Sequence, residues 1–94
     1  VIVKPAEQSS LVGGLFAERV RESCDLPPGV FQFLPGDGEI VGARLVEHPD
    51  VAVINFTGSR AVGLEILRVA HSTGRGRRHV KQVLAEMGGK NAVI

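Results

Sequence analysis

Three stretches of the chain carry residue types, at spacings, that could do chemistry. The first is Val53-Ile54-Asn55-Phe56-Thr57-Gly58-Ser59-Arg60-Ala61-Val62-Gly63, where an apolar run breaks at Thr-Gly-Ser and a pattern with helical spacing begins at once. It reads as a buried strand, a tight turn and the first turn of a helix. Such a turn gathers backbone N–H groups and a helix N-terminus at one point, which suits a phosphate. Ser59 and the adjacent N–H groups would hold a pyrophosphate, and Gly63 would let helix and ligand pack closely. The spacing of Gly58 and Gly63 is neither the Gly-x-Gly-x-x-Gly dinucleotide fingerprint nor a P-loop, because Lys and Ser/Thr do not follow the second glycine. By spacing alone, an ordinary strand-to-helix turn with a serine cap is the better reading.

The second stretch is Lys4-Pro5-Ala6-Glu7. Lys4 could donate to, and Glu7 accept from, the hydroxyls of a ribose, and a carboxylate there suits a free 2′-hydroxyl while repelling a 2′-phosphate. Alone, it is more simply a solvated charge pair at a helix start. The third stretch is Glu86-Met87-Gly88-Gly89. A partly buried Glu86 with a raised pKa could act as a general base, and the two glycines would let backbone approach a ligand. The bland alternative is a loop or helix-cap carboxylate. Cys24, the single cysteine, has no His–Asp constellation around it and reads as a structural or exposed thiol. Residues 75–79 form a basic run without aromatic neighbours, which is usually a solvated loop rather than a nucleic-acid patch. His48 and His71 fall at expected helix C-termini and, with His79, show no metal-ligand spacing, so no metal is expected.

Elements that would position these residues follow from hydrophobic periodicity. Val1–Val3 is a short β-branched run stopped by Lys4-Pro5. Ser9 or Ser10 can cap a helix in which Leu11, Val12, Leu15, Phe16 and Val20 form one apolar stripe. Gly13 and Gly14 there can let the helix approach a neighbour closely. Val30–Leu34 reads as a second strand, ended by Pro35-Gly36-Asp37-Gly38. Asp37 is a candidate cap for a short helix carrying Ile40, Val41, Leu45 and Val46. Val51–Phe56 is the third strand, and Ser59 starts a third helix with Val62, Ile66, Leu67, Val69 and Ala70 on its inner side. A polar loop, Ser72–His79, leads to a fourth strand, Val80–Ala85, and Ala92–Ile94 would begin a fifth.

Strand and helix thus alternate, and the strands read as continuous apolar runs. The fold class expected is α/β: a Rossmann-like parallel sheet with helices on both faces, part of a three-layer domain. Right-handed crossovers would then bring four loops, those containing Lys4, Gly36, Gly58 and Gly88, to one sheet edge where ligands bind. The length of 94 residues suits one small domain or a piece of a larger one, and the formal net charge of +1 gives no reason to expect a nucleic-acid or membrane partner. No apolar run approaches the roughly 20 residues that span a bilayer. One cysteine cannot make an internal disulfide and fits a reducing compartment. The chain starts and stops inside apolar runs, so it is expected to be an excerpt from a longer protein.

With the loops placed, a resemblance emerges. Lys4-Pro5-Ala6-Glu7, Leu26-Pro27-Pro28-Gly29-Val30, Pro35-Gly36-Asp37-Gly38, Phe56-Thr57-Gly58-Ser59 and Glu86-Met87-Gly88-Gly89-Lys90 stand in the order and spacing of the NAD(P)-dependent aldehyde dehydrogenase superfamily. The match spans residues 1–94, as part of its cofactor-binding domain. Gln32-Phe33-Leu34-Pro35-Gly36 and Ile54-Asn55-Phe56-Thr57-Gly58-Ser59 look most like the branch that oxidises glutamate γ-semialdehyde, formed from pyrroline-5-carboxylate in proline breakdown. The resemblance implies NAD as cofactor, with NADP the alternative. It implies that Lys4 and Glu7 bind the adenosine ribose, that Gly58 and Ser59 face the pyrophosphate, and that Gly38 and Val62 flank the adenine. Thr57, the Met87 carbonyl and Gly88 would lie near the nicotinamide, and Glu86 would match the general base. It also implies a small-molecule aldehyde substrate, a homo-oligomeric parent, and a cytoplasmic or, in a eukaryote, mitochondrial matrix setting.

One departure matters. The family's nucleophilic cysteine lies downstream of its Glu-x-Gly-Gly motif, beyond Ile94, and Cys24 is not in that context. These 94 residues alone are therefore expected to lack dehydrogenase activity. A dehydrogenase for another aldehyde, or a non-catalytic nucleotide-binding or assembly module, are the alternatives.

Overall fold

A computed structural model describes residues 1–72 and 80–89. The expected fifth strand and most of the polar loop after Ser72 lie outside the described residues. The chain divides into two compact units, Val1–Gly42 and Ala43–Ile94.

In the first unit, β1 (Ile2–Val3) pairs in parallel with β2 (Gln32–Phe33), with Ile2 opposite Gln32 and Val3 opposite Phe33. The Val1 ammonium donates to the Val30 carbonyl at 2.6 Å, and Leu34 N–H donates to Val3 O at 3.0 Å. The second strand is shorter than its apolar run. Gly29 takes a positive φ of 84° and Val30 N–H closes a turn onto Pro27 O at 3.2 Å, so pairing starts only at Gln32.

Between these strands runs α1 (Ser10–Ser23). Its packing face is not the expected apolar stripe. Leu11 and Phe16 are 80% and 60% exposed, while Ala17 is buried and Ser10, Gly13, Gly14 and Val20 are half-buried. Small residues win because the helix lies very close to its neighbours. A Cβ on Gly13 would stand 3.1 Å from Phe33 Cε2 and 3.2 Å from Pro5 Cβ, contacts that a larger side chain on this face would preclude. Neither serine caps the helix. A 3₁₀ turn, Glu7–Ser9, precedes it, and Ser9 and Ser10 Oγ donate to Ala6 O at 3.2 and 3.3 Å.

The loop after β2 ends in a π-helical segment, Gly38–Gly42. Asp37 caps it as expected: its Oδ1 accepts from Glu39 N–H at 2.7 Å and Ile40 N–H at 3.2 Å.

The second unit contains α2 (Ala43–Glu47), β3 (Val53–Gly58), α3 (Arg60–His71) and β4 (Gln82–Met87). β3 and β4 are parallel over six residues, from Val53 opposite Gln82 to Gly58 opposite Met87. Both strands run two residues past their expected ends, because the partner strand keeps accepting and donating through Gly58 and Met87. Both also alternate rather than reading as apolar runs. Ile54, Phe56, Val83, Ala85 and Met87 are half-buried, while Val53, Asn55, Thr57, Gln82, Leu84 and Glu86 are exposed. On α3, Gly63 and Ala70 are buried and Ile66 and Leu67 half-buried, a stripe at i, i+3, i+4 and i+7. Val62, expected inside, is 50% exposed. Gly63 takes the inner position in its stead.

The described strands thus form two parallel pairs in a mixed α/β chain, with α1 in the first unit and α2 and α3 in the second. No helix among the described residues is long and apolar enough to cross a membrane.

Candidate functional site

In the first unit, parallel pairing brings the loop after β1 and the loop after β2 to the same strand end. Glu7 joins them: its Oε1 accepts the Gly38 N–H at 2.7 Å. Lys4 Nζ lies 3.9 Å from the same oxygen. That ion pair is beyond hydrogen-bond distance and partly exposed, so it is worth at most about 1 kcal/mol. The Lys4 side chain is 18% exposed, and its ammonium lies beside the more exposed Glu7 carboxylate. A donor next to an acceptor is the arrangement that vicinal hydroxyls require. Gly38 itself is placed by this bond, a latch that periodicity could not reveal, although Gly-Asp-Gly did flag a loop.

In the second unit, Ser59 caps α3 as expected. Its backbone is extended (φ −67°, ψ 149°), its Oγ accepts from Val62 N–H at 3.3 Å, and its carbonyl accepts from Gly63 N–H at 3.0 Å. The hydroxyl proton stays available to an outside acceptor. Helix geometry leaves the Arg60 and Ala61 N–H groups without intrahelical partners, and α3 is 12 residues long, so donors and dipole converge at the same end. This donor set suits a phosphate oxyanion.

Gly63 does something other than the expected close packing of ligand. A Cβ there would collide with Met87 Sδ, stand 2.7 Å from Met87 Cγ and meet Phe56 Cε1 at 3.4 Å. The glycine makes room for the Met87 side chain. Gly58 similarly accommodates the Phe56 ring, with Cζ 2.5 Å from where its Cβ would sit.

Glu86 differs most from expectation. It lies within β4, exposed, one residue from the strand end, and not in the loop beyond it. Its register partner is Thr57, so hydroxyl and carboxylate share one face of the parallel pair. Gly88, just beyond, takes φ +66°, a conformation that favours glycine. Along the open face Val53 stands opposite Gln82, Asn55 opposite Leu84 and Thr57 opposite Glu86, so the pair nearest the C-terminal end is wholly polar. Cys24 is exposed at the end of α1, and among the described residues no group of His, Cys, Asp and Glu could hold a metal ion.

Comparison with known proteins decides the family. The aldehyde dehydrogenase family model matches residues 1–94. The chain belongs to the aldehyde dehydrogenase family. Curated members share its sequence end to end: 1-pyrroline-5-carboxylate dehydrogenase of Bacillus licheniformis is 47% identical over 100% of this chain. A second one, from Bacillus subtilis, is 46% identical over the same span. The chain spans 18% of the length of each of these relatives. Among solved structures, a 1-pyrroline-5-carboxylate dehydrogenase from Thermus with bound NAD superposes with a TM-score of 0.90 at 50% identity, covering 96% of this chain and 17% of that one. Proline utilization A from Bdellovibrio bacteriovorus, inactivated by N-propargylglycine, superposes with a TM-score of 0.89 at 46% identity, covering 95% of this chain and 9% of that one.

Proposed function

We propose that these 94 residues are part of the NAD-binding domain of an aldehyde dehydrogenase that oxidises glutamate γ-semialdehyde to glutamate. On this reading the two strand pairs belong to one three-layer αβα domain, and the four loops share its ligand edge. The observation that carries it is the similarity, at 47% identity over 100% of this chain and 50% over 96% of it, to relatives named 1-pyrroline-5-carboxylate dehydrogenase, one solved with NAD bound. The donor sets described above are consistent with that cofactor.

Each residue then has a task. Lys4 Nζ donates to a ribose hydroxyl and Glu7 accepts from its neighbour, while its negative charge disfavours a 2′-phosphate and so selects NAD over NADP. Gly58 and Ser59, with the α3 N-terminus, hold the pyrophosphate. Gly38 and Val62 flank the adenine. Thr57, Gly88 and the Met87 carbonyl line the nicotinamide side. NAD, when bound, supplies the hydride acceptor. Glu86 takes a proton from the water that hydrolyses the acyl-enzyme formed on a cysteine outside these residues. The whole enzyme works as a homo-oligomer, in the cytoplasm or, in a eukaryote, the mitochondrial matrix.

The test is Glu86→Gln in the full-length enzyme. Turnover of glutamate γ-semialdehyde should fall by about 100-fold or more, the usual share of a general base, with NAD affinity unchanged by isothermal titration. Unaltered turnover would remove Glu86 from the chemistry, and NAD binding to a full-length protein with no turnover of any aldehyde would favour a non-catalytic module. The 94 residues alone should produce no NADH from an aldehyde.

A further inference from the structure

Lys81 is buried, 2% exposed, and plays no part in the chemistry just described. Burying an ammonium is costly unless oxygens meet it. Lys81 Nζ donates to the His48 carbonyl at 2.5 Å, across 33 positions of chain. That carbonyl follows α2 directly and also accepts the Val51 N–H at 3.2 Å. It is thus the corner of the turn that leads into β3. One residue after Lys81, Gln82 N–H donates to Ala52 O at 2.9 Å and the parallel ladder begins.

We infer that Lys81 is a positioning residue: by tying the start of β4 to the turn before β3, it fixes the strand register that sets Glu86 beside Thr57 on the open face. The side-chain period of a strand is two, so a slip of one residue would turn Glu86 toward α3 and Met87 away from Gly63. It would also pull the ammonium off the His48 carbonyl. The native register and this buried hydrogen bond are therefore made together. The structural part of this inference stands by itself, and its consequence for turnover rests on the reading of Glu86 as base.

The test compares Lys81→Met, which keeps the stem and removes the ammonium, with Lys81→Arg, which keeps the charge, in the full-length enzyme. In Lys81→Met, amide exchange of Val83–Met87 should speed up by about tenfold or more while α3 amides change by less than about threefold. Its kcat should fall by about tenfold with KM for NAD within about twofold, and Lys81→Arg should restore at least about half of the kcat. Unchanged β4 exchange in Lys81→Met overturns the inference. So does an equal rise in α3 exchange that Lys81→Arg fails to rescue, because that is general loss of fold. Glu86→Gln, assayed alongside, separates the two readings: if it keeps full turnover the base assignment fails, and the β4 exchange still decides Lys81.

Discussion

Replacing Gly63 by alanine tests whether the glycine serves Met87. Two effects oppose each other. Alanine in a helix is favoured over glycine by up to about 1 kcal/mol. Against that, the new methyl collides with Met87 Sδ and would lie 2.7 Å from Cγ and 3.4 Å from Phe56 Cε1. Overpacking of this kind costs about 1–3 kcal/mol. Met87 is flexible and half-buried, so the lower half of that range applies and the net effect of Gly63→Ala is a loss of about 0.5–1 kcal/mol. In a Met87→Ala background the obstructing atoms are gone, and only the propensity gain remains. The two substitutions should then couple favourably by about 1–2 kcal/mol, within the range for residues in contact. The assay is amide exchange of α3 in the four members of the cycle, where 1.4 kcal/mol is about tenfold in protection. Gly63→Ala should lower α3 protection alone and raise it when Met87 is alanine. Additivity within about 0.5 kcal/mol would refute the contact argument and return Gly63 to a ligand-facing role.

Three further outcomes are expected. Ser59→Ala removes the acceptor for Val62 N–H and should destabilise α3 by about 1 kcal/mol, with a parallel loss of NAD affinity in the full-length enzyme by titration. Glu7→Gln keeps an acceptor for Gly38 N–H but removes the charge, so NAD affinity should drop while discrimination against NADP narrows, read from the ratio of the two KM values. The hydrogen bond from Arg68 holds Glu65 below the usual carboxylate range. Its contribution to α3 is therefore present above the ordinary value of 4.5 and lost as pH falls through the lowered one. Circular dichroism should show a loss of helicity on acidification that Glu65→Gln reduces.

Local chemistry was legible in the sequence, and long-range geometry was not. The Ser59 and Asp37 caps each depend on a side chain and an amide two or three residues away, so composition and spacing suffice to find them. Strand ends were displaced by two residues because pairing partners, not hydrophobicity, decide where a ladder stops. Gln82-Val83-Leu84-Ala85-Glu86-Met87 carried a weak period-two signal that would have put Glu86 on the strand, but Leu84 on the open face hid it. The α1 stripe was misassigned for a related reason. Large apolar residues look like a core face, yet the face that meets Phe33 and Pro5 carries Gly13, where a Cβ would stand only 3.1 Å from Phe33 Cε2. Nothing local could place Lys81 in the interior, since its ammonium donates to a backbone carbonyl 33 residues away.

The Glu7 carboxylate has a consequence for how this protein could change. One oxygen latches the loop at Gly38, and on the proposed reading the same carboxylate meets the cofactor ribose. A replacement that removes the charge and the side-chain oxygen together would also free that loop. Glutamine alone removes the charge and keeps an acceptor of the same reach. On the proposed reading, a switch of cofactor preference at this position that leaves the loop latched therefore has to pass through glutamine, and shorter or apolar replacements would change charge and loop together.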